Sequence, residues 1–88
     1  MRLSDLGKGD RGLIKAIAPE GRDGPDDIGA HELERRLLEM GFVEGARFHV
    51  LHEGLVGRDP IAVRLDDMRV ALRRSEAHAI LVERETAP

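Results

Sequence analysis

The sequence predicts a mainly β protein: a small five-stranded antiparallel barrel, with one α-helix inserted after the first strand and a short helical turn before the last strand. Three observations carry this. Short runs rich in branched aliphatic residues, at 11–17, 46–53, 61–65, 68–72 and 79–83, are punctuated by glycine, proline and aspartate. One stretch, Leu33–Met40, repeats its apolar residues at helical spacing instead. Curling so small a sheet into a barrel removes the open strand edges that invite aggregation.

The elements follow in order. Residues 3–10 are rich in turn formers, with Leu3 and Leu6 as anchors and Gly9 as a turn residue. Gly7 and Gly9 bracket Lys8, but the spacing of a phosphate loop and its Lys-Ser or Lys-Thr pair are missing. Arg11–Ile17 is the first strand, in which Gly12 signals a bulge or a bend. Residues 18–29 hold prolines, glycines and acids and form a long flexible loop. Asp26 or Asp27 stands near the N-cap of the helix that follows. Leu33, Leu37 and Met40 share one helical face with Leu38 beside them, and Glu32 precedes Arg36 by one turn, the favoured order for an ion pair. Gly41 caps the helix in the left-handed conformation, Phe42 folds back onto its last turn, and Gly45 supplies a second turn. The second strand, Ala46–Glu53, puts Ala46, Phe48, Val50 and His52 on one face. Gly54–Asp59 is a loop, and Pro60 opens a strand whose Ile61, Val63 and Leu65 point inward. Asp66-Asp67 turns the chain into Met68–Leu72. Ser75 caps a helical turn over residues 73–78, and Ala79–Glu83 is a largely buried final strand. Residues 84–88 are a frayed tail, so 1–88 is a single domain with its core at about 3–83.

Composition narrows the function. The 88 residues contain no cysteine, hence no disulfide and no thiolate metal site. Fourteen basic against seventeen acidic side chains leave a net charge of −3. That balance opposes a nucleic-acid binder driven by phosphate neutralisation. No apolar run approaches the ~20 residues of a membrane span, and residues 1–5 lack the apolar core of a secretory signal. The chain therefore reads as cytoplasmic and soluble, without direct membrane insertion. No nucleophile motif and no carboxylate pair announces catalysis, so it reads as a binding protein and not an enzyme.

Candidate site residues are few. His49 and His52, three apart on a strand, point to opposite faces and cannot easily grip one ion. His31 and Glu32 are weak candidates for a divalent metal at the surface, and no cofactor is expected beyond such a transition metal. Asp23, Asp26 and Asp27 lack the spacing and closing glutamate of an EF-hand and read as solvated loop carboxylates. Arg35-Arg36 and Arg73-Arg74 read as a solvated helix face and a turn, with a partner surface as the alternative. The candidate partner contacts are the outer face of the helix, Arg35, Arg36 and Glu39, and the tip Gly54–Asp59, with Leu55 and Arg58. With no Trp or Tyr, a groove for proline-rich ligands is not expected.

Three segments carry a family resemblance. They are Leu6-x-x-Gly9-x-x-Gly12, then Leu33-x-x-Arg36-Leu37-x-x-Met40-Gly41-Phe42-x-x-Gly45, then Val70-Ala71-Leu72-Arg73-Arg74-x-Glu76-Ala77-x-x-Ile80-x-Val82. In this order they span roughly Leu3 to Glu83 and resemble the ferrous iron transport protein A (FeoA) family. The chain departs from that family in the length of the 18–29 loop and at Glu44, where proline is frequent. The resemblance implies an SH3-like barrel. It also implies a small cytosolic accessory role in ferrous iron uptake, exercised by binding the cytosolic G domain region of a membrane iron transporter. The alternative it implies is a metal-responsive regulatory module similar to the C-terminal domain of metal-dependent repressors. The chain is too short to add a DNA-reading winged helix, so the free-standing role is preferred. A homo-oligomer stays open as a further partner.

Overall fold

From a 3-10 turn at Leu3–Asp5 the chain enters β1 (Arg11–Ile17), α1 (Ile28–Glu39) and β2 (Arg47–Val56). β3 (Asp59–Leu65), β4 (Met68–Leu72), α2 (Arg74–Ala77) and β5 (Ile80–Arg84) follow. This computed structural model describes residues 1–18 and 28–85. The expected N-cap at Asp26 or Asp27, the acids Asp23, Asp26 and Asp27, and most of the expected loop lie outside the described residues.

All five strands join one antiparallel sheet in the order β4-β3-β2-β1-β5. β4 and β5 are its edges. The β5 edge is covered by the chain's own start: Met1 O accepts a hydrogen bond from the Val82 N–H (2.8 Å), and Arg2 bridges to Leu81. Alternation builds the core. Ile14 of β1, Phe48 and Val50 of β2, Ile61, Val63 and Leu65 of β3, and Ile80 and Val82 of β5 are buried, joined by Leu3, Leu6, Leu37, Phe42 and Leu72. No buried polar or charged residue interrupts them among the described residues. α1 contributes Leu37 completely and Leu33 and Met40 in part. Leu38, expected beside that stripe, is 45% exposed, because one residue past Leu37 it is rotated off the packed face.

The helix ends as expected. Gly41 has φ +107°, its N–H donates to Leu38 O (3.0 Å), and the Phe42 N–H donates to Leu37 O (3.0 Å). These two bonds form a Schellman motif, and the buried Phe42 supplies its apolar contact. Gly9 and Gly45 also have positive φ.

Several expectations are corrected. α1 starts at Ile28, inside the segment read as loop. Gly12 is not a bulge: it pairs with both Phe48 and Arg84, and a Cβ there would lie 2.0 Å from the Glu83 carbonyl oxygen. The bulge in β1 falls between Ile14 and Ala16. β2 runs through Gly54, Leu55 and Val56, which were expected to be loop. Gly54 marks a close strand approach, its would-be Cβ lying 1.9 Å from the Asp59 carbonyl oxygen. The turn is only Gly57-Arg58, both with positive φ (64° and 59°), as a type I′ hairpin demands. At the far end β5 continues through Arg84.

Replacing Gly41 by alanine forces a Cβ into the left-handed region and to within 3.2 Å of Leu65 Cδ2. Urea unfolding of Gly41→Ala is expected to show a loss of about 1–2 kcal/mol.

Candidate partner-binding surface

A second bulge decides what stands at the end of the barrel. β2 pairs Val50 with Val63 but His52 with Ala62, so Leu51 is the extra residue. From there the strand's parity is inverted. His52, expected on the buried face with Phe48 and Val50, is exposed, whereas Glu53 now stands opposite the buried Ile61. The same inversion corrects the expectation for the histidines. His49 pairs with Arg64 and His52 with Ala62, two positions apart on β3, so both lie on the outer face.

Glu53 meets two arginines. Its Oε1 accepts hydrogen bonds from Arg58 Nε (2.9 Å) and from Arg74 Nη2 (2.5 Å). The Arg58 hydrogen bond holds its carboxyl below the ordinary value of 4.5; burial opposes this, and the charges of Arg58 and Arg74 and a backbone bond from Lys8 add to the lowering.

Arg74 is the hub. Its Nη1 donates to Ser4 O (2.7 Å) and Leu6 O (3.2 Å), and its Nε donates to Arg58 O (2.8 Å). Its backbone N–H donates to Asp59 Oδ1 (2.8 Å). One side chain thus ties α2 to the 3-10 turn and to the β2–β3 hairpin. Sequence reasoning took Arg73-Arg74 as a turn or a partner surface; Arg74 is in fact a half-buried clamp, with its side chain 17% exposed. No local pattern separates it from an exposed arginine. Ser75 lies inside α2 and does not cap it. The N-cap is Arg73, whose N–H donates to Glu76 Oε1 (2.9 Å).

Glu76 also pairs with Arg36 of α1, and α1 and α2 face each other across an open cleft lined by Leu33, Arg35, Arg36, Glu39, Ser75 and Glu76. Arg36 therefore reaches across to α2 and not along its helix to Glu32. The i, i+4 pair within α1 is Arg35–Glu39 at 3.8 Å, too exposed to stabilise much. The hairpin bonded to α2 through Arg74 carries Leu55 (102% exposed) and Val56 (85%) fully into solvent beside Arg58. α2 thus links two groups: Arg35, Arg36 and Glu39 on α1, through Arg36–Glu76, and Leu55 and Arg58 on the hairpin, through Arg74. Val56 lies within the tip Gly54–Asp59 that the sequence offered as a partner contact, although it was not singled out there beside Leu55 and Arg58, and the structure places it at the end of β2.

His31 and Glu32 are exposed neighbours on α1. Among the described residues no group of three or more His, Asp or Glu gathers where one metal ion could be held. No described helix is long and apolar enough to cross a membrane.

Residues 1–84 match the family model of the FeoA domain. The chain is 40% identical over 83 residues to the Fe(2+) transport protein A/Fe(2+) transporter FeoB fusion protein of Porphyromonas gingivalis, covering 94% of this chain and only 8% of that protein's length. The crystal structure of Stenotrophomonas maltophilia FeoA complexed with zinc, an SH3 domain protein, superposes with a TM-score of 0.75 at 31% identity, covering 97% of this chain and 95% of that one. The curled sheet is therefore an SH3-like barrel. A manganese-dependent transcriptional repressor matches with a TM-score of 0.71 at 24% identity, over 93% of this chain and 40% of its own, a likeness that reaches the fold alone.

Two outcomes follow from the clamp. Arg74→Ala strips the carbonyls of Ser4, Leu6 and Arg58 of a charged donor and is expected to cost about 2–3 kcal/mol in urea unfolding, with Arg74→Lys recovering only part because an ammonium lacks the planar fork. Glu53 has a lowered folded pKa, so its contribution is complete above the unfolded value near 4.5 and is lost as pH falls through the folded one. The stability gap between the wild type and Glu53→Gln is accordingly expected to hold steady near neutrality and to narrow on acidification below 4.5.

Proposed function

This chain belongs to the FeoA family, and on that premise we propose that it is a small cytosolic accessory protein of ferrous iron uptake, docking onto the cytosolic G domain region of an FeoB-type membrane transporter. It carries out no reaction of its own. The observation that supports this best is the P. gingivalis fusion, in which transport protein A and FeoB share one polypeptide. Covalent linkage holds two domains at about millimolar effective concentration, an advantage only where they work side by side.

The docking face is the β2–β3 tip together with the outer face of α1. Leu55 and Val56 supply apolar area that the fold leaves uncovered, each worth about 1.5–3 kcal/mol when fully buried by a partner. Arg35, Arg36, Glu39 and Arg58 form the polar rim that orients the contact. α2 is bonded to both α1 and the hairpin, which links the two halves of the face.

Calorimetry between this chain and the cytosolic G domain of the FeoB protein from the same cell tests the reading. Binding is expected in at least one of three states: nucleotide-free, with GDP, or with a GTP analogue. No heat in any of them overturns it. A Leu55→Asp, Val56→Asp variant is expected to bind at least about tenfold more weakly, while its folding stability stays within about 0.5 kcal/mol of the wild type, as for exposed positions generally.

A further inference from the structure

A row of three arginines and a histidine crosses the outer face of the sheet. Arg11 of β1 stands opposite His49 of β2, His49 opposite Arg64 of β3, and Arg64 opposite Arg69 of β4. Residues in register on antiparallel neighbours share a face, so these four form one line across four strands. They point outward, since the residues beside them, Gly12, Phe48, Val50, Val63 and Leu65, are buried. Arg47, two positions before His49, shares that face. With strands about 4.8 Å apart, the line is about 14–15 Å long.

Arg11, Arg47, Arg64 and Arg69 are exposed, and among the described residues none of them enters an ion pair. Arg64 and Arg69 are like charges set directly opposite on neighbouring strands, an arrangement that repels and weakens the ladder. The chain holds this arrangement although seventeen acidic residues leave it net negative. An anion laid along the row would relieve the repulsion.

We propose that this row is a docking track for an extended acidic segment of a partner protein, lying across the strands with its carboxylates on Arg11, Arg64 and Arg69. The guanidinium fork suits a carboxylate in two-point contact. Length and surroundings select a peptide over other polyanions. About five extended residues cover the row. Asp66, Asp67 and Glu85 line the same depression as Arg11, Arg47 and Arg64. A nucleic-acid backbone or an anionic bilayer is charged without interruption and sets phosphates against those carboxylates, whereas a short segment can place its few carboxylates on the arginines alone. The track uses none of the residues of the hairpin tip and stands or falls separately from the transporter reading.

Fluorescence anisotropy with a labelled heptapeptide of alternating glutamate and serine tests it at low salt. Comparators are a single-stranded oligonucleotide and vesicles containing phosphatidylserine. Saturable binding of the peptide is expected, weakened at least about tenfold in the Arg11→Gln, Arg64→Gln double variant and unchanged in Arg35→Gln. A flat titration, tighter binding of the oligonucleotide or vesicles, or an equal loss in Arg35→Gln overturns the track. Without ligand, Arg64→Thr is expected to raise the urea midpoint at low salt, the gain fading as salt screens the charges. An unchanged midpoint overturns the repulsion on which the track rests.

Discussion

The guanidinium of Arg74 is the point through which distant parts of this chain hold each other. Its donors reach carbonyl oxygens of the 3-10 turn and of the hairpin turn, and it meets the carboxylate of Glu53. A barrel this small buries only about 60–65% of its unfolded surface, and its core holds aliphatic side chains with just two phenylalanines. Apolar burial has no directionality. It brings strands together without deciding how α2 and the first turn seat at the barrel's end. The charged fork, with fixed geometry, decides that.

The clamp exists because of one inserted residue. Without Leu51 bulged from the ladder, strand parity would turn Glu53 outward and His52 inward. The bulge moves a carboxylate to the side where Arg74 and Arg58 wait, and spares the core a histidine. The same strand then runs on to Val56 through a second register shift between Glu53 and Val56, so the first irregularity fixes the ionic anchor and the second the exposed hairpin beyond it. α2, only one turn long, gains its order from these bonds and from Glu76, which caps it and receives Arg36.

The outcome is a protein with two unlike outer surfaces. One combines an apolar hairpin tip with the charged face of α1 and is the docking face proposed for the transporter. The other is a line of Arg11, His49, Arg64 and Arg69 across the sheet, whose arginines enter no ion pair among the described residues. Both consist of groups the fold holds in place without using: Leu55 and Val56 outside the core, Arg11 and Arg64 outside the ion pairs.

What depends on local periodicity and backbone conformation was legible without coordinates. The alternation of Ile61, Val63 and Leu65, the helical stripe around Leu37, the left-handed cap at Gly41 with Phe42 behind it, and the five-strand order of elements all follow from residues close together in the chain. The ordered motifs also pointed to the family. What required tertiary structure depends on register between strands far apart in sequence. Leu51 as the bulge, Gly12 and Gly54 as close approaches, Glu53 facing Arg74, and the alignment of Arg11, His49, Arg64 and Arg69 are each set by which residue lies opposite which. An arginine in a clamp, one in a cross-strand row and one in solvent are not told apart by their neighbours along the chain. Only the fold gives them different neighbours in space, because hydrogen bonds and charges act over a few ångströms whatever the sequence separation.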